Sequence, residues 1–303
     1  MARTLALRQY LDLPFHPEGD FDHGDVYLPN GHVYIANTAA GTVEVVDGER
    51  LCHLATIPDC PEASGMLAAQ DNALIFAAAR GAGKLLVIDA ISGTVIRAVA
   101  VGSRPNGLAW DAPRHHLLAA DVQDNTARLV DPMLGQVIAA ASLPGRPRWA
   151  VYHPAGDRFL INIREPAVVT ILEAESFTPV GQFPVSSAGP HGLDLDQEGN
   201  RAFIACDGGN VVTLDLASGS ELARVPIAGV PDAIWHNHRL GRLYVAIANP
   251  GVVAVVNTST MVVEEVIPTE AGTHTTAFDA LRQRLYVFLP SCRVAVYEER
   301  EGG

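Results

Sequence analysis

"RPNGLAWDAPRHHLLAADVQDNTARLVDPMLGQVIAAASLPG", residues 104–145, reads as four short strands punctuated by turns. "GLAWD" and "HHLLAAD" flank a turn at Ala112 to Arg114, "TARLVD" is a third strand, and "QVIAAASL" is a fourth after the turn at Pro132 to Gly135. Proline, glycine and aspartate supply the backbone angles and local hydrogen bonds that such turns need. "ARLVD" alternates apolar and polar residues, whereas "HLLAA" is almost continuously apolar, the patterns expected of an outer and a sandwiched strand. Four strands in a unit of 42 residues have the size of one propeller blade.

The unit recurs along the whole chain. The acidic or amide residue closing each third strand falls at Asp47, Asp89, Asp131, Glu173, Asp215, Asn257 and Glu298, at spacings of 42, 42, 42, 42, 42 and 41. Seven copies predict an all-β, seven-bladed β-propeller with four-stranded antiparallel blades, a single domain over residues 1–303. The 27 glycines and 20 prolines serve its many turns, and no long helical period competes. The last copy stops after its third strand, "RVAVYEE", while the chain opens on a lone strand, "TLALRQYLDL". Residues 1–15 are therefore expected to complete blade seven, closing the ring and removing a sheet edge. A linear solenoid would leave both ends uncapped.

The repeat resembles the YVTN-type β-propeller repeat, whose sense is P-x-G-x-A, a strand, N-T-V-x-V-I-D, T-x-T-G-x-V and G-x-x-P. "TAAGTVEVVDG", "GGNVVTLDLASGSELARVPIAGVP" and "NPGVVAVVNTSTMVVEEVIPTEAG" carry the same pattern, so the similarity spans nearly the whole chain. It implies the fold and is silent on function, because such propellers serve many roles. Many members of that family are exported. The opening "MARTLALRQYLDLPFHPEGD" departs from that, having acidic residues and no uninterrupted apolar core of the kind a secretory signal needs.

Composition narrows the function classes. The formal net charge is -13, with Lys84 the one lysine among 21 basic residues, which argues against a sequence-independent grip on nucleic acid or anionic lipid. No apolar run reaches membrane-spanning length. The expectation is a soluble, cytoplasmic and, in the simplest case, monomeric protein. Four cysteines are too few for a disulfide framework in a chain this long. Cys52 and Cys60 lie about 26 Å apart if the intervening segment is extended, so reduced thiols are expected.

In a propeller the first strand of each blade lines the central channel, and the residue before "GL" marks one position repeated around its mouth. Read from "DHGD", "ASGM", "PNGL", "PRWA", "PHGL", "PDAI" and "THTT", that position holds His23, Ser64, Asn106, Arg148, His191, Asp232 and His274, with a turn one residue shorter in blade one. Chance predicts about 0.25 histidines in seven places, and three are found. Ring closure makes His191, Asp232, His274 and His23 consecutive neighbours on one arc. Three imidazoles and a carboxylate form a ligand set suited to Zn²⁺, Fe²⁺, Mn²⁺, Ni²⁺ or Cu²⁺. Arg148, Asn106 and Ser64 on the other arc would orient a small anionic substrate, and hydrolysis, lyase or oxygen chemistry remain open. The turns on that face add Arg164, Glu165 and Asp121, the last expected to orient Asn106, and also Cys206 and Cys292 beside His191 and His274.

Blander readings stand beside this one. Polar channel residues also hold water or bond to neighbouring loops, Arg148 is a natural salt-bridge partner for Asp232, and buried thiols are usually inert. The alternative function is a non-enzymatic propeller that binds a protein or small ligand through its rim loops. His115, His116, His153, His236 and His238 are expected in solvated turns on the opposite face, with a secondary metal site at His236 and His238. Trp110, Trp149 and Trp235 are expected early in first strands as packing between blades. "GAGKLL" at 81–86 lacks phosphate-loop spacing, and no nucleophile elbow or H-E-x-x-H occurs.

Overall fold

Where an aspartate or asparagine closes the third strand, it stays in register because it builds the turn that follows. In the computed structural model, which describes residues 4–299, Asp47 Oδ1 accepts the N–H groups of Glu49 (2.9 Å) and Arg50 (2.8 Å). Asp131 does the same for Met133 and Leu134, and Asp89, Asp215 and Asn257 repeat the arrangement. A short carboxylate or amide can reach two N–H groups that the ladder leaves without partners. The 42-residue period thus carries a chemical requirement of one turn, met in this way in five of the seven blades.

Seven four-stranded antiparallel sheets result. The N-terminal strand, Leu5–Asp12, pairs with the last strand, Arg293–Glu299, and completes the sheet formed with Arg284–Leu289 and Thr276–Asp279. The ring closes as expected, although residues 1–3 of the expected closing segment lie outside the described residues. Second strands such as Leu74–Ala79 are buried along their whole length. Third strands such as Val252–Asn257 are nearly so, and the alternation in blade three comes from Arg128, which turns outward to Asp124. The outer position belongs to the fourth strands: Val95–Ala100 and Glu221–Pro226 each keep a single buried residue, Val99 and Val225.

The core is divided. Seven apolar clusters occur, one at each interface between neighbouring blades, including the blade seven to blade one interface, where Leu11 and Leu13 meet Phe21, Phe288 and Val294. Each blade is therefore held by hydrogen bonds within itself and by buried apolar area against its neighbours.

Close approach at the channel explains one set of glycines. A Cβ on Gly65 would collide with the carbonyl oxygen of Asn106, one on Gly107 with that of Arg148, and one on Gly192 with that of Asp232. The inner strands crowd together at the upper face, where they begin, so at these three positions only the smallest residue fits. Among the described residues no helix is long and apolar enough to cross a membrane.

Candidate functional site

Strand register corrects the reading of the ring by one residue in blade one. Phe21 pairs with Asn37 and Gly24 with Ile35, as Ala63 pairs with Ala79 and Met66 with Ala77 in blade two. Asp22, not His23, is therefore the partner of Ser64, Asn106, Arg148, His191, Asp232 and His274 around the upper mouth. His23 occupies the next position inward, where Gly65, Gly107, Gly192 and Ala233 stand in other blades and Trp149 in blade four.

The arc of expected ligands forms polar pairs and no shared coordination sphere. His191 Nε2 lies 3.0 Å from Asp232 Oδ1, and its Nδ1 lies 3.1 Å from Asp207 Oδ1. Arg148 also reaches His191 Nε2, so His191 stands between Arg148 and Asp232, and the direct bridge across the mouth is not formed. His274 Nδ1 donates to the Gly272 carbonyl at 2.8 Å. Burial opposes its protonation, but Asp232, the Gly272 carbonyl, Asp22 and Asp20 outweigh that and hold its pKa above the ordinary histidine value. His23 Nε2 sits 3.3 Å from Asp22 Oδ1. Burial, helped by Arg148 and His191, keeps its pKa low against the pull of Asp22 and Asp232.

Several supporting roles also change. Ser64 Oγ donates to the Pro105 carbonyl (3.1 Å), which commits it to the neighbouring blade. Asp121 accepts from the backbone of Arg104, Gln123 and Asp124, so it builds a turn and does not orient Asn106, whose buried Oδ1 has no partner. Cys206 is fully buried, its thiol pushed up to about 12 by burial. Cys292 exchanges hydrogen bonds with the His16 backbone and anchors the N-terminal segment. Neither thiol is a ligand of the mouth.

His23 and Trp149 meet across the channel. They come from blades one and four, which are not neighbours, and their rings stack with centroids 4.0 Å apart and planes 23° apart. This stack is the roof of a lower chamber of about 460 Å³ whose lining includes none of the seven mouth residues. Trp110 and Trp235 line the same chamber. They lie late in their strands, Pro105–Asp111 and Pro231–Asn237, and although their edges pack on the cores their rings also form chamber wall, which inter-blade packing alone did not anticipate.

Two carboxylates face this chamber from blades one and five. Asp25 accepts the N–H groups of Val26 (2.7 Å) and Ala68 (2.8 Å), and Asp194 those of Leu195 (2.7 Å) and His236 (2.6 Å). Each stitches its blade to the next. Burial pushes Asp25 up to about 7 and Asp194 up to about 6, against the pull of those N–H groups.

At the lower rim His236 and His153 are buried strand residues, where solvated turns were expected. Among the described residues, Asp196, His236 and His238 are the group of three or more histidine, cysteine or carboxylate side chains whose ligand atoms all lie within 4.8 Å of one another. Asp196 also holds Arg201 at 2.6 Å. Burial lowers the His236 pKa to about 4, leaving a neutral imidazole whose Nδ1 faces the Leu195 carbonyl at 3.4 Å.

Opposite charge collects at the upper face. Arg80 pairs with Asp22, Arg104 with Glu62 and Arg164 with Asp207, but among the described residues Arg146 makes no ion pair. Arg146 is exposed, and partial desolvation together with the like charges of Arg148, Arg164, Arg80 and Arg104 holds its pKa below the ordinary value. Arg148 Nε is buried without a hydrogen-bond partner. Composition masked this cluster, because the chain as a whole is strongly acidic; arginine at 146, 148 and 164 was the available signal.

The chain is similar in fold to a chain of Kuenenia stuttgartiensis hydrazine synthase, with a TM-score of 0.83 at 14% identity, covering 93% of this chain and 96% of that one. No family model matches the sequence, and no curated protein matches it. The resemblance to YVTN-type repeats is therefore carried by the repeat motifs alone. The sheet topology defines the class as a seven-bladed β-propeller, and function must be argued from its sites.

Proposed function

We propose that this propeller is a binding protein for a small anion, held at the upper mouth by Arg146 and Arg148. The single observation that carries the reading is an arginine with no carboxylate partner among four others, in a chain of net charge -13. One arginine left without a carboxylate of its own beside four others raises the free energy of the empty site and lowers that of the anion-bound one. Beside Arg146, the orphaned Arg148 Nε–H seeks an acceptor and the orphaned Asn106 Oδ1 seeks a donor. A hydroxy acid offers both in one molecule.

Calorimetric titration with tartrate tests this, with inorganic phosphate as a second probe. Charge-assisted bonds contribute about 1.5–3 kcal/mol each, so Arg148→Ala or Arg146→Ala is expected to weaken tartrate at least tenfold, and Asn106→Ala to weaken tartrate more than phosphate. Equal affinity in all variants would remove the proposal.

A second reading, a metal-binding propeller, is favoured by the Asp196, His236 and His238 group at the lower rim. Donation of His236 Nδ1–H to a backbone carbonyl leaves Nε2 free, the usual orientation of a metal-bound histidine. Asp196 would divide its carboxylate between the ion and Arg201. Divalent transition metals as a class fit such a set, zinc among them. Tag-free protein dialysed against zinc is expected to retain one equivalent, lost in His238→Ala and kept in His191→Ala. Substoichiometric zinc unchanged by His238→Ala would eliminate this centre.

A further inference from the structure

We infer that the lower chamber is a second binding site, built for an organic cation that carries an apolar body, such as a primary amine on an aromatic or aliphatic group. The chamber differs from the upper mouth in having no arginine or lysine to offset its carboxyl groups. Its lining contains Asp25 and Asp194 and no arginine or lysine, whereas five arginines gather at the other end of the channel. The stacked rings of His23 and Trp149 separate the two, so neither set of charges can neutralise the other by direct contact.

The geometry of the carboxylates favours a ligand over a purely structural role. Each spends both oxygens on backbone N–H groups, one per oxygen, and a carboxylate offers about four acceptor positions. Acceptor capacity therefore remains on both, and both face the chamber. They project from blades one and five, on opposite sides of the channel, so a cationic head entering from the lower face would lie between two carboxyl groups and favour their ionised forms.

The remaining wall suits the body of the same ligand. Trp110 donates its indole N–H to Asp71 (2.7 Å) and Trp235 donates to the Thr276 carbonyl (2.9 Å), so neither indole retains a polar atom to offer. What remains for the chamber is ring surface, joined by Trp149, Leu193 and Phe278. Aromatic faces attract cations through their quadrupole and bury apolar groups with little loss of side-chain freedom. A chamber of about 460 Å³ admits a small molecule.

All three tryptophans of the chain line this chamber, so tryptophan fluorescence reports on it. The probe is benzylamine, with benzyl alcohol as its neutral isostere and benzoate as its anionic one, titrated at neutral pH with EDTA present to remove metal from the lower rim. Benzylamine is expected to change the emission saturably in the low-millimolar range or below, and both isosteres to bind at least tenfold more weakly. Asp194→Asn should weaken benzylamine at least tenfold while circular dichroism is unchanged. Should that variant fail to fold, the three-ligand comparison on the native protein decides alone. No saturable change with benzylamine, or equal binding of benzyl alcohol, would overturn the proposal, and binding of benzoate would reverse its sign. Tartrate binding at the upper mouth is read separately by calorimetry, so either site can fail without the other.

Discussion

Deleting residues 1–13 is expected to lower the melting temperature by at least roughly 10 °C and to make the protein self-associate. Leu5, Leu11 and Leu13 are buried at the seams where blade seven meets its neighbours. Their removal from contact costs about 2 kcal/mol each, or about 6 kcal/mol together, a large part of the 5–15 kcal/mol by which domains are usually stable. The register from Leu5 opposite Glu299 to Asp12 opposite Arg293 would also be lost, exposing the last strand as an unpaired edge. The exposed Arg8 to Glu298 ion pair adds little, being open to solvent screening. Thermal unfolding and gel filtration measure both effects, and a synthetic peptide of residues 1–13 added in trans should reverse them. A truncated chain melting within a few degrees of the full one would mean that the closing strand contributes little.

Replacing Asp25 by Asn is expected to abolish a pH dependence of stability. Burial raises the folded-state pKa of Asp25 to about 7 from an ordinary 3.8. The folded chain therefore holds a proton that the unfolded chain has released, and stability falls as pH climbs from the unfolded value through the folded one. At about 1.36 kcal/mol per unit, the loss is about 4 kcal/mol over the whole range and about 2 kcal/mol between roughly pH 5.5 and 8. The asparagine variant begins at a disadvantage, because its amide nitrogen cannot accept the Ala68 N–H that the carboxylate accepts at 2.8 Å. Its deficit relative to the native protein should shrink by about 2 kcal/mol across that interval. Urea unfolding at the two ends checks this, and parallel pH profiles would show that the carboxylate is already ionised at low pH.

Register explains where the reading of the mouth went astray. Glycine served as the marker of one repeated position, and in blades two, three and five it does stand against a neighbouring carbonyl. Gly24 is small for another reason: a Cβ there would strike the ring of Phe288, one register step further along the strand. The same letter answered two different steric demands, and the histidine beside it was placed on the ring when it belongs to the plug beneath. The tryptophans misled in a related way, since aromatic residues on an inner strand pack on a core and line a cavity with equal ease.

From the sequence alone came the number of blades, the antiparallel strand order and the closure by the N-terminal strand. The first two follow from pairing and turn chemistry that act over a few residues and repeat at a fixed period, and the third from the strand that the last copy lacks and the N-terminal segment supplies. Only the tertiary structure decided that His23 stacks on Trp149, that Asp25 and Asp194 share a chamber, and that Arg146 stands among arginines without a partner. Contacts across the channel depend on the radius of the ring and on bulges that shift a side chain by one place, and neither leaves a mark in the spacing of residues along the chain.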